Sequence, residues 1–191
     1  MVVRPMGVVE PLPLVVVRAG QTPVRQDEPC TDQWIIDTGL FAVSVLDADG
    51  RTMLLDLLGA GDGLGLPGGL PAAWTATALR PARLRPTHDV EGLAATVARL
   101  ASIATDLAWF DTTDRVERRL IDLARRLGRP APGGVLIPLR LTQDELASMV
   151  GATRESVNRA IRALVDRGSI EVRGRGRYVV RAQLRLVADD P

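Results

Sequence analysis

Apolar and polar positions change their spacing part-way along the chain. From residue 11 to about residue 86, short apolar runs alternate with turn residues. The runs at 14–18, 33–37, 40–46, 52–58, 74–79 and 82–84 predict strands. Ala19-Gly20, Thr38-Gly39 and Gly59-Ala60-Gly61-Asp62 supply turns, and Asp47-Ala48-Asp49-Gly50 between two apolar runs is a strong hairpin signal. Many short strands at this spacing predict a small barrel or sandwich. Residues 1–10 show no clear period.

From Asp89 the spacing becomes helical. Val90, Leu93, Val97, Leu100, Ala104 and Leu107 recur every three or four residues as a heptad seam, with Ala94, Ala98, Ala101 and Ala108 beside it. Small flanking residues let two such helices approach closely, so 89–110 predicts a dimerisation helix. A single helix packed on the strand-rich region satisfies the same pattern. The seam fails at Asp111, which reads as a hinge, with Asp111 or Thr112 capping the next helix. That helix is amphipathic through Val116, Leu120, Leu123 and Leu127. Residues 128–134 read as a loop and 135–139 as a short strand.

The densest local signals lie in 141–180. Thr142 and Glu145 make an S/T-x-x-E capping box at a helix start. Leu146, Met149 and Val150 form that helix's inward face, and Gly151 ends it with a residue that tolerates positive φ. Thr153 is a good N-cap for a second helix, whose buried stripe is Val157, Ala160, Ile161, Leu164 and Val165. Gly168 stops it, and 170–172 and 178–180 read as a hairpin wing joined by Gly-Arg-Gly. Arg154, Glu155, Asn158, Arg159 and Arg162 occupy the polar face of the second helix. Arg can grip guanine O6 and N7 with two hydrogen bonds, and Glu can accept from cytosine N4. An isolated helix with such a face would be read as merely solvated. The short glycine turn before it and the basic wing after it point instead to a helix-turn-helix.

Composition changes this picture little. The 191 residues are 46% hydrophobic and 25% charged, with a net charge of +1, which suits a soluble protein of one or two small domains. The charge is uneven, however: residues 138–181 carry nine Arg against five Asp and Glu, a local balance of +4 on the segment that holds the motif. All basic residues are Arg. With one cysteine, Cys30, and one histidine, His88, neither an internal disulfide nor a Cys/His metal cluster can form. No metal site and no catalytic set is expected, so an enzyme is not predicted. No apolar stretch reaches the ~18 residues of a membrane helix. Prolines and Glu10 break the apolar start of the chain, making it a poor signal peptide. The expectation is a cytoplasmic protein.

Residues 141–180, LTQDELASMVGATRESVNRAIRALVDRGSIEVRGRGRYVV, resemble the DNA-binding end of the cAMP receptor protein/fumarate-nitrate regulator (Crp/Fnr) family. In cAMP-responsive members the equivalent helix begins R-E-T-V-G-R, against Arg154-Glu155-Ser156-Val157-Asn158-Arg159 here. The resemblance implies a winged helix-turn-helix in which Arg154, Glu155 and Arg159 read a TGTGA-like half-site, repeated as an inverted palindrome. Asn158 stands where that relative has glycine and could add or shift a base contact. A phosphate contact carries over to Thr142. Thr153, Arg162, Arg175 and Arg177 are the further candidates for the DNA backbone. The resemblance also implies a homodimer, an activator of transcription, and RNA polymerase as a partner.

The strand-rich half is similar to the effector-binding β-roll of the same family, through Gly39, the Asp49-Gly50 hairpin and the turn from Gly59 to Asp62. It departs where the ligand would sit. Cyclic-nucleotide binders hold ribose and phosphate with G-E-L and then R-S or R-T. Here Leu66 stands in place of Glu, and Pro71-Ala72 fall about where Arg-Ser would be. A buried phosphate without its cation costs more than the ~1–3 kcal/mol of an ordinary unsatisfied group, so no cyclic nucleotide bound in the familiar way and no cofactor is predicted, which leaves effector-independent DNA binding or a different ligand. The absence of a four-cysteine set excludes the family's iron–sulfur sensing. Cys30 reads as a bystander, and His88 has no second ligand with which to hold haem.

The expected architecture is therefore α+β: a divergent β-roll sensor domain over 1–88, a dimerisation helix over 89–110, and a winged helix-turn-helix over 111–191. The expected function is sequence-specific DNA binding by a homodimer, not regulated by cAMP. The alternative is a β-roll protein-interaction module whose DNA binding is secondary and non-specific.

Overall fold

The structure is a computed structural model describing residues 13–66, 68–87, 91–174 and 176–181, with 91–93 described by their backbone. The first half forms β1 (Val15–Val17), β2 (Pro29–Cys30), β3 (Gln33–Leu46), β4 (Thr52–Leu58), β5 (Gly63–Gly65), β6 (Leu70–Pro71) and β7 (Thr75–Pro86). The long strands pair antiparallel in the order β1-β7-β3-β4, β5 adds to β3, and β2 pairs with β6. The hairpin between β3 and β4 closes as its residues dictate. Asp47 Oδ1 accepts from the backbone N–H groups of Asp49 and Arg51, both at 2.9 Å, and Gly50 takes φ +79°.

Two pairs of expected strands are continuous. Residues 33–37 and 40–46 are both β3, and 82–84 and all but Trp74 of 74–79 lie in β7. Thr38-Gly39 is a bulge, not a turn. The pairing of β3 with β7 slips at Thr38 and Leu40, and Gly39 takes φ +113°. A Cβ on Gly39 would overlap Ala82 of the neighbouring strand. The bulge shifts the inward face of β3 by one residue: Trp34 and Ile36 face the roll's core before it, Phe41 and Val43 after it. Leu40 is thereby turned into a second core.

That second core belongs to the C-terminal half. Helix α1 spans Glu91–Trp109 and α2 Thr112–Leu127; a hairpin β8 (Arg129–Ala131) and β9 (Gly134–Leu136) follows. Then come α3 (Gln143–Val150), α4 (Arg154–Asp166), β10 (Ile170–Arg173) and β11 (Arg177–Val180). The segment expected as a loop, 128–134, thus contributes a strand, and the wing is four strands in the order β10-β11-β9-β8. Val116, Leu120, Leu123, Leu146, Val157 and Leu164 pack into one cluster that also takes in Leu40 and Leu57 of the β-roll. The backbone N–H of Leu54 donates to Ser148 Oγ at 2.6 Å, and Arg80 Nη2 donates to the carbonyl of Pro138 at 3.3 Å. The helical head is therefore seated directly on the underside of β3 and β4.

Candidate nucleic-acid interface

The helix-turn-helix is built by its own local chemistry. Thr142 Oγ1 accepts from the Glu145 N–H at 3.1 Å, and Glu145 Oε2 accepts from the Thr142 N–H at 2.7 Å, closing the capping box. Gly151 ends α3 in the left-handed region at φ +59°. Thr153 Oγ1 then accepts from the Ser156 N–H at 3.2 Å and starts α4. Val157, Ala160, Ile161 and Leu164 anchor α4 in the core. Val165, read from its spacing as part of that stripe, is 41% exposed instead, because it sits at the edge of the stripe in the last turn.

The opposite face of α4 is open. Arg154, Glu155, Arg159 and Arg162 are exposed and Asn158 is half-buried. Arg154 lies 3.8 Å from Asp144, but both side chains are largely in water, so this pair holds little energy. Arg159 Nη2 donates to Ser156 Oγ at 3.0 Å, and that hydroxyl also meets Thr153 Oγ1 at 3.0 Å. Thr142, Thr153 and Arg177 are exposed near this face. Arg175 lies outside the described residues. Elsewhere in the wing, Arg173 donates to Glu171 at 2.6 Å and to the carbonyl of Pro132 at 2.7 Å. The hydrogen bond from Arg173 holds the Glu171 carboxyl below its ordinary pKa.

The structure redistributes the expected helical seam. Among its residues with described side chains, Val97, 57% exposed, and Ala104 are open to solvent. Leu100 is half-buried beside Leu64, Gly65 and Trp74 of the roll. Leu107, though part-exposed, lies against Gly151, where a Cβ would approach its Cδ2 to 2.8 Å. The open face of α1 is thus a small-residue stripe, Ala94, Val97, Ala98, Ala101, Ala104 and Ala108, with Trp109 at its end. Leu100 and Leu107 thus also make contacts within their own protomer. Val90, His88 and the side chain of Leu93 lie outside what the structure describes. At the expected hinge, Asp111 caps α2, with Oδ1 accepting from the Asp114 N–H at 2.9 Å.

The space between the roll and α1 is narrow. Val43, Leu58, Leu64, Trp74 and Leu100 surround a cavity of about 20 Å³, space for a water rather than a nucleotide. Asp56, the one ionisable residue lining it among the described residues, carries the wrong charge for a phosphate. Leu66 is half-buried, Ala72 buried and Pro71 exposed, so none supplies the missing charge. Among the described residues no metal-binding group of His, Cys, Asp and Glu occurs, and no helix is long and apolar enough to cross a membrane.

Comparison with known proteins bears on both halves. Residues 14–85 match the cyclic nucleotide-binding domain and residues 114–187 the Crp-like helix-turn-helix domain. A relative in Mycobacterium tuberculosis (strain ATCC 25618 / H37Rv), a CRP-like cAMP-activated global transcriptional regulator, is 31% identical over 178 residues, covering 82% of this chain and 79% of the relative. This chain belongs to the Crp/Fnr family. The cAMP-activated global transcriptional regulator CRP of Escherichia coli O157:H7 is 29% identical over 176 residues, covering 81% of this chain and 83% of its own. The crystal structure of a CRP/FNR-family transcriptional regulator from Thermus thermophilus superposes with a TM-score of 0.72 at 25% identity, covering 88% of this chain and 93% of that one. This Crp/Fnr protein is accordingly a DNA-binding transcription regulator with a cyclic-nucleotide-binding fold joined to a helix-turn-helix.

One constellation in this Crp/Fnr regulator escaped the sequence reading. Asp56 of β4 is 4% exposed and Asp62, before β5, is 9% exposed. Arg99 of α1 reaches Asp56 at 3.2 Å and Asp62 at 2.9 Å. Arg126 of α2 reaches the same two carboxylates at 2.9 and 3.1 Å, and Asp122 at 2.8 Å. Arg119, 7% exposed, lies 3.5 Å from Asp56. Burial lowers the Arg119 pKa, with Asp56 and Asp122 offsetting only part of it. For Arg126 burial acts the same way, but the Asp122 hydrogen bond and the charges of Asp56, Asp122 and Asp62 outweigh it and raise the pKa. A signal was present. Asp56 interrupts the apolar run of β4, and Arg119 falls on the buried stripe of α2, and buried charges require partners.

Proposed function

We propose that two copies of this regulator pair through the small-residue face of α1 and read an inverted repeat of TGTGA-like half-sites, without cAMP. In this reading residues 1–88 are a divergent sensor roll, 89–110 the dimer helix and 111–191 the DNA-binding head, with the hinge at Asp111. Arg154, Glu155, Asn158 and Arg159 face the bases. Thr142, Thr153, Arg162, Arg175 and Arg177 face the phosphate backbone. The observation that carries it is the α4 face: four charged side chains exposed together on a helix anchored by its other side, behind a capped helix and a left-handed turn. A dimer meets the geometric need of a palindrome, which sets two recognition helices ~34 Å apart. Independence from cAMP rests on Leu66, on Pro71-Ala72 and on the narrow space between Trp74 and Leu100. Within this reading the protein acts in the cytoplasm as a non-enzymatic activator, with RNA polymerase as its partner.

Selection of bound duplexes from a random DNA pool, with and without cAMP, tests the whole reading. The expected outcome is an inverted repeat of TGTGA-like half-sites, enriched equally in both arms. Enrichment only with cAMP would refute the effector assignment, and no enriched motif would refute the recognition face.

A further inference from the structure

Asp56 is the point at which three parts of the regulator meet. It lies in the β-roll; Arg99 comes from α1, before the Asp111 hinge; Arg119 and Arg126 come from α2, after it. Asp62 repeats the arrangement, pairing with Arg99 and Arg126. Rotation of the head about the hinge must therefore break ion pairs on at least one of these two carboxylates. Backbone groups tighten the junction: Arg126 Nη1 donates to the Leu57 carbonyl at 2.8 Å, and Asp62 Oδ2 accepts from the Gly59 N–H at 2.8 Å.

Bulk stability does not explain this cluster. Taking five charges largely out of water is costly, and apolar residues of similar size commonly stabilise a protein as well or better. A network of guanidinium–carboxylate bonds differs from an apolar contact in being directional, since each bond tolerates only a narrow range of angles. The cluster also borders the small cavity, which Asp56 and Leu100 both line. With the cluster intact, the base-reading face of α4 stays exposed.

We infer that the Asp56–Asp62 pair, gripped by Arg99, Arg119 and Arg126, is a built-in clamp that holds the DNA-reading head in its binding orientation on the dimer helix with no small molecule required. Asp56 is a positioning residue: it touches no DNA and acts through the placement of α4. The inference rests on the dimeric, palindrome-reading function proposed above.

The test uses the full-length protein and Asp56→Asn, which keeps the shape and removes the charge. Affinity is measured for the selected palindrome and for a duplex bearing one half-site, and hydrogen exchange is followed at residues 109–113. The clamp predicts at least about a tenfold loss on the palindrome, a much smaller loss on the half-site, and faster exchange at the hinge. Light scattering and circular dichroism confirm that the variant is folded and dimeric. Unchanged binding and exchange, equal losses on both duplexes, or tighter palindrome binding would each overturn it. If Asp56→Asn does not fold, Arg99→Gln, which cuts only the α1 arm, is read by the same measurements. Should wild-type protein show no preference for the palindrome over the half-site, the dimer reading fails. Hinge exchange in the variant still decides the clamp.

Discussion

The head and the roll keep their family's pattern in different ways. In the head, the residues that carry the motif are also the ones whose local chemistry is complete: Thr142 and Glu145 cap each other, Gly151 takes the left-handed turn, and Thr153 starts the recognition helix. In the roll the strands, the Gly39 bulge and the turn at Asp62 persist, while the ligand-holding positions carry Leu66 and Pro71-Ala72. Asp62, a family turn residue, is spent on Arg99 and Arg126. The contrast teaches that a strand pattern can persist where the residues of a ligand motif differ. Sheet pairing needs only compatible packing at many positions, whereas a ligand site needs particular charges at two or three.

The largest effect on this contrast comes from the proposed dimer face of α1. Ala101→Glu, on the open face of α1, should split the dimer, and losing the second head should weaken palindrome binding by more than about a hundredfold. Light scattering that still reports a dimer would return the seam to the leucines. Leu100→Glu should instead unfold the roll, because it drives a charge in beside Leu64 and Trp74.

Next comes the reading face. Arg159→Ala should cost about 1–3 kcal/mol on the selected site and relax the guanine preference at one position of each half-site. Unchanged selectivity would place base reading elsewhere on α4. A smaller effect belongs to the cap: Thr142→Ala removes the hydroxyl that accepts from the Glu145 N–H, leaves the backbone N–H that donates to Glu145, and should lower unfolding stability by about 1 kcal/mol in denaturant titration.

The smallest effect is confined to high pH. Tyr178, the only tyrosine of the chain, is buried in the head, and burial raises its pKa. Its neutral form is therefore favoured in the folded state. That stability is fully present below the ordinary tyrosine value of about 10 and is lost as pH rises through the folded value. Tyrosinate absorbance of the native protein should rise at higher pH than that of the unfolded chain, and Tyr178→Phe should remove this share of the alkaline loss. Coincident midpoints would mean that the wing does not shield the ring.

The sequence by itself determined whatever a few neighbouring residues settle among themselves. The capping box, the turn at Gly151, the polar face of α4 and the hairpin at Asp47 are of this kind, since their hydrogen bonds and φ angles link residues no more than about four positions apart. Only the tertiary structure decided that Thr38-Gly39 is a bulge, which requires Ala82 to lie across from it. It also decided that Leu100 meets the roll and Leu107 meets Gly151 of the head, contacts that the spacing of α1 leaves unspecified. Above all, it brought Asp56 to Arg126, seventy positions away along the chain. A charge in an apolar strand announces that a partner is needed, but the identity of that partner depends on which surfaces the whole fold presses together.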